Sequence, residues 1–104
     1  IILLHSGGVR CLEAMLIADA TKNVYLETSF TLPYYLNSSI EQDLAFAYKK
    51  IGADKIIYAS DFPYVDLKES QRIFFEFIDK WGFTSSQFEK MAFSNGMKIV
   101  DLNG

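Results

Sequence analysis

The sequence predicts an α/β fold of three consecutive βα units with parallel strands. Short apolar runs at residues 1–4, 24–28 and 55–59 are each followed by a stretch whose apolar side chains return every three or four positions, and Gly52 and Gly82 close the second and third of these stretches. Right-handed crossovers set three such strands side by side and pointing one way, so their C-terminal ends form a single rim.

The first unit runs from Ile1-Ile2-Leu3-Leu4 through His5-Ser6-Gly7-Gly8 into a helix over 9–20, with Leu12, Met15, Leu16 and Ala20 at helical spacing. The second begins at Val24-Tyr25-Leu26-Glu27-Thr28, crosses a loop holding Pro33, Tyr34 and Tyr35, and enters a helix after Asn37. Ser38 and Glu41 have the spacing of a capping box, and Ile40, Leu44, Ala47, Tyr48 and Ile51 form the inward stripe that Gly52 ends. The third turns at Asp61-Phe62-Pro63 and starts its helix near Asp66, again with a glutamate three residues on, at Glu69. Ile73, Phe74, Phe77, Ile78 and Trp81 share one face of that helix. A further helix begins at Thr84 or Ser85 and carries Phe88, Met91 and Ala92. A last helix or extended tail covers 95–102, with Asn95 suited to capping it.

Chemistry concentrates on the rim. Asp61 ends the third apolar run and His5 ends the first, and ends of parallel strands are where α/β folds place reacting groups. Each residue also has a plainer use: a histidine near a strand end can be a hydrogen-bonded structural residue, and aspartate is favoured in turns and at helix starts. Glu27 faces either a barrel interior or a neighbouring helix, and strand alternation does not decide which. Tyr34 and Tyr35 line a substrate pocket or cover a core. Cys11 reads as a small buried hydrophobe.

Composition excludes several classes. Half of the 104 residues are hydrophobic and 22% charged, as in one soluble globular domain, and nine Phe, six Tyr and one Trp supply its core. The net charge of −3, with Lys and Arg scattered among acids, argues against nucleic acid. Apolar runs break after about five residues, far short of the ~20 that span a membrane. The single cysteine forms no internal disulfide, which fits a reducing compartment and a cytoplasmic location. Ile1 opens directly on an apolar run, as in part of something longer.

Four segments together carry a resemblance: Ile2-Leu3-Leu4-His5-Ser6-Gly7-Gly8, Asn23-Val24-Tyr25-Leu26-Glu27-Thr28-Ser29, Gly52-Ala53-Asp54-Lys55-Ile56-Ile57-Tyr58-Ala59-Ser60-Asp61-Phe62-Pro63, and Asn95 before the terminal apolar residues. In order and spacing the chain resembles the C-terminal part of the amidohydrolase-2 branch of the amidohydrolase superfamily, metal-dependent TIM-barrel hydrolases and decarboxylases. The resemblance implies that residues 1–104 are a single domain, the sixth to eighth units of a (β/α)8 barrel that takes about 250 residues in full. It implies that Asp61 is catalytic as well as a ligand, binding a divalent metal, zinc in particular, and receiving a proton from the attacking water, and that His5 is a catalytic acid or base beside metal-bound water and a small-molecule substrate. The family's paired histidines after the first strand and its histidine after the fifth have no counterpart in this sequence. The expectation is therefore no tightly held cofactor and no activity in this chain alone.

Two other readings differ in class. A non-catalytic scaffold derived from such a barrel would leave two strand edges and an apolar face uncovered, and self-association into a homo-oligomer would cover them. A small doubly wound ligand-binding domain is the third, although Gly7-Gly8 lacks the G-x-G-x-x-G spacing of a dinucleotide site.

Overall fold

Leu26 is the residue around which the sheet is built. In a computed structural model, which describes residues 1–103 and side chains as far as Asp101, it pairs with Leu3 on one side and Ile56 on the other and is fully buried. Strands β1 (Ile2–Leu3), β2 (Tyr25–Glu27) and β3 (Ile56–Ile57) are all parallel, in the order β1-β2-β3. The predicted order and direction hold, but each strand is shorter than its apolar run. The flanking residues leave the ladder to build turns at the rim.

Helices α1 (Cys11–Ala20), α2 (Thr31–Tyr34), α3 (Ser39–Ile51), α4 (Leu67–Lys80), α5 (Ser85–Glu89) and α6 (Asn95–Asn103) complete the chain, with a widened helical turn at Lys90–Ser94 joining the last two. The stripes expected on α3 and α4 are the buried ones: Leu44, Ala47 and Tyr48 on the first, and Ile73, Phe74, Phe77 and Ile78 on the second. Gly52, at φ 92, ends α3 and donates to Tyr48 O.

Helix α1 departs from its expected face. It buries Cys11, Ala14, Met15 and Ala18, whereas Leu12, Leu16 and Ala20 are exposed. Small residues permit close approach: Gly7, at φ 78, leaves no room for a side chain, since a Cβ there would lie 2.9 Å from that of Ala14. Cys11 is the small buried hydrophobe expected, and burial pushes its thiol up, with Asp43 adding to the shift.

The caps differ from expectation in one respect. Ser38 accepts from Ile40 N, but Glu41 does not close a box with it; the carboxylate instead takes Asn37 N at 3.0 Å, Lys80 Nζ at 2.7 Å and Trp81 Nε1 at 2.9 Å. Asp66 caps α4 through Glu69 N, and Glu69 itself turns to Arg72. The reciprocal box is found at Thr84 and Gln87, ahead of α5.

Asn95 is not a cap. It lies in continuous helical backbone, and its amide donates to Ala53 O at 2.6 Å and Ile56 O at 2.7 Å. Tyr58 N donates to Met91 O at 2.8 Å. Because Ile57 O is directed to Thr28 N, Tyr58 N lies on the opposite edge of β3. The C-terminal helical segment thus meets the outer edge of β3, and among the described residues β1 alone keeps the uncovered edge expected of both. No helix of the described residues is long and apolar enough to cross a membrane.

Candidate active site

The chain leaves β1 through four successive residues with positive φ: His5 (56), Ser6 (51), Gly7 (78) and Gly8 (56). The glycines adopt this region freely, while His5 and Ser6 do so at a steric cost. Side chains from β2 and beyond hold the turn. His5 N donates to Glu27 Oε1 at 2.6 Å, His5 O accepts from Thr31 Oγ1, and the buried Ser6 Oγ donates to Glu27 O at 2.7 Å.

Ser6 is itself clamped from α3. Tyr48 O–H lies 2.5 Å from Ser6 Oγ, and since the serine proton is committed to a carbonyl, the phenol is the donor. Burial pushes the Tyr48 phenol well above its ordinary range, which keeps it a neutral donor.

Glu27 ends β2, Ser29 lies in the turn that follows it, and their side chains meet. Ser29 Oγ donates to Glu27 Oε1 at 2.5 Å. The imidazole Nδ1 of His5 lies 2.8 Å from Ser29 O, 3.0 Å from Ser29 Oγ and 3.7 Å from Glu27 Oε1. The ring lies at a tilt to Phe30, their centroids 5.4 Å apart, and Phe30 stacks on Tyr34 at 4.7 Å.

From β3, Thr28 Oγ1 accepts from Ala59 N at 3.2 Å and extends the β2–β3 contact past the last ladder bond. Asp61 follows with φ 67, and the Phe62–Pro63 peptide is cis. Asp61 O receives Tyr64 N and Val65 N, while its carboxylate takes no hydrogen bond or ion pair from any described residue. A cleft of about 380 Å³ opens between these turns, lined by Leu4, His5, Glu27, Ser29, Ser60, Asp61 and Phe62, among others.

The structure thus brings His5 and Asp61 to one cleft at the strand ends, together with Glu27, whose facing the sequence left open. Ser29 lies past the end of β2, so strand alternation gave no signal that it would meet Glu27. Tyr34 is largely exposed and reaches the site only through Phe30, which it stacks upon.

A divalent metal would find part of a donor set. Asp61 offers an unpaired hard oxygen and His5 a nitrogen, but among the described residues no three His, Cys, Asp or Glu side chains gather as a metal-binding group. The residues fit a contribution to a metal centre rather than a whole one.

The model of a family described as amidohydrolase matches residues 1–102. No curated protein matches the chain significantly. Among solved structures, a dihydroxybenzoic acid decarboxylase from Polaromonas sp. JS666, with bound manganese and the inhibitor 2-nitroresorcinol, is 21% identical with a TM-score of 0.60, over 88% of this chain and 24% of that one. A 2,6-dihydroxybenzoate decarboxylase complexed with 2,6-dihydroxybenzoate, and one from Rhizobium, are each 20% identical with a TM-score of 0.65, over all of this chain and 35% of theirs. The chain therefore spans between a quarter and about a third of these proteins, and what it shares with them is the TIM-barrel fold of its three units.

Proposed function

Since the chain belongs to the amidohydrolase family, we propose that it supplies the sixth to eighth βα units of a metal-dependent barrel that hydrolyses or decarboxylates a small molecule, and that it is inactive by itself. The observation that carries this reading is the shared cleft: His5 from the end of β1 and Asp61 from the turn after β3 open onto the same space.

Asp61, its carboxylate free of partners among the described residues, would hold the cation, either the expected zinc or manganese as in the Polaromonas neighbour. A divalent cation, when bound, supplies Lewis acidity at a substrate oxygen or water. His5 would accept or return the proton, with Phe30 packed at a tilt beside its ring and Tyr34 stacked on Phe30. The neighbours' names favour decarboxylation of a hydroxybenzoate.

Manganese titration of the ¹⁵N-labelled chain tests the reading. With one carboxylate and one imidazole, affinity falls at about millimolar, and paramagnetic broadening is expected first at His5 and residues 59–62, and to vanish in Asp61→Asn. Broadening that spares the cleft, or survives the substitution, overturns it. In a barrel restored with the other five units, CO2 release from 2,6-dihydroxybenzoate separates decarboxylation from hydrolysis.

The uncovered β1 edge favours a second reading, a self-associating scaffold without catalysis.

A further inference from the structure

We propose that Ser29 and Glu27 are positioning residues that lock His5 in its Nδ1–H tautomer, leaving Nε2 as the unprotonated, proton-accepting nitrogen at the cleft. Two contacts assign the proton independently. Ser29 O is a carbonyl and only accepts, so the 2.8 Å approach of Nδ1 requires a hydrogen on that nitrogen. Ser29 Oγ has a single proton, and at 2.5 Å from Glu27 Oε1 it is given to the carboxylate; toward Nδ1, 3.0 Å away, the hydroxyl therefore presents a lone pair.

Glu27 acts twice. It draws the hydroxyl proton away from the imidazole, and its oxygen, 3.7 Å from Nδ1, favours the positive end of the N–H bond. The same oxygen receives His5 N, so the backbone turn and the ring orientation are set by one buried carboxylate. Nε2 has no partner among the described residues, and the side chain is 42% exposed where it lines the cleft. This is the reverse of the tautomer a free histidine prefers. An orienter of this kind is needed where Nε2 must meet a substrate proton in the same form at every turnover.

The inference rests on the proposed function only for what Nε2 does; the tautomer belongs to the metal-free chain. His5 is the single histidine, so long-range ¹H–¹⁵N correlation of the imidazole under conditions where it is neutral gives one unambiguous pattern. The expected result is a protonated Nδ1 and a bare Nε2 in the wild type, with the tautomer ratio moving about fivefold toward Nε2–H in Glu27→Gln and in Ser29→Ala. A wild-type Nε2–H tautomer overturns the proposal, and needs no variant to fold. A ratio unchanged in both variants overturns the roles of Glu27 and Ser29. If the tautomer is as expected while manganese spares the cleft, the positioning stands and the catalytic reading falls.

Discussion

Glu41 shows how one buried carboxylate can join two helices. It sits in the first turn of α3, 2% exposed, and binds the last residue of α4, Lys80, and the Trp81 that follows it. Burial pushes its carboxyl up, yet the hydrogen bonds from Lys80, Asn37 N and Trp81, with the Lys80 charge, outweigh burial and leave it below the usual carboxylate range. A carboxyl held lower in the folded state favours folding above its unfolded value of about 4.3, and that contribution is lost as pH falls from there through the folded value. Lys80 is half exposed, so solvent screens part of the attraction. Glu41→Gln is expected to cost about 1–2 kcal/mol near neutrality and progressively less toward pH ~3. Urea denaturation of both proteins across that range checks the sign, and a difference that grows in acid contradicts it. The sequence shows Glu41 three residues after Ser38, which argues for a capping box; a partner 39 residues away has no local signature.

At the scale of elements, α1 ends without the glycine that closes α3. It has no basic residue in its last turn, and the carbonyl of Ala18, with those of the segment that follows the helix, is met instead from the turn before β3. Lys55 Nζ, with three N–H groups, lies 2.8 Å from Thr21 O and Lys22 O and 3.2 Å from Ala18 O and Val24 O, the two longer contacts sharing a proton, in a carbonyl cage that also places positive charge at the negative end of the helix. Lys55→Met keeps most of the aliphatic stem and removes the donor. It is expected to destabilise the chain by about 1–3 kcal/mol and to speed amide exchange over residues 18–24 more than elsewhere. Equal stability, or exchange that rises uniformly, counts against the cage. This element was partly legible. The order of strands and helices, the stripes of α3 and α4 and the glycine stops follow from periodicity and local chemistry. The buried face of α1 does not, because Cys11, Ala14 and Ala18 are chosen for close packing rather than bulk, while the more hydrophobic Leu12 and Leu16 point outward. The site was legible to a similar depth: strand ends located His5 and Asp61, whereas the facing of Glu27 depended on which side of a three-residue strand is covered.

At the scale of the whole molecule the two edges of the sheet are unequal. Met91 O and the Asn95 amide meet the outer edge of β3 through Tyr58 N and Ile56 O. On β1, Tyr25 N reaches Ile1 O, so Ile2 N, in the same peptide unit, is directed away from β2, where no described strand pairs with it. Ile1, Ile2 and Leu4, in or next to β1, add exposed apolar surface to that edge. In the proposed barrel this is where the fifth unit pairs; in the isolated chain a second copy meets the same chemistry. One open edge leads to a closed pair rather than a fibre, because two chains that join through β1 each retain a capped β3. Light scattering is therefore expected to show mass rising from monomer toward dimer with concentration, and Ile2→Lys to hold the chain monomeric at little cost in stability, since it sets a charge on an edge that water already reaches. Asn95→Leu supplies the converse. Ile56 O loses the Asn95 donor while Ala53 O keeps only Ile56 N, stability falls by about 1–3 kcal/mol, and the outer edge of β3 is left with the Tyr58 N–Met91 O bond alone, so assembly past the dimer is expected. A wild type that stays monomeric at every concentration removes the scaffold reading, and an Asn95→Leu chain that stops at the dimer shows that the Asn95 amide is not what guards β3.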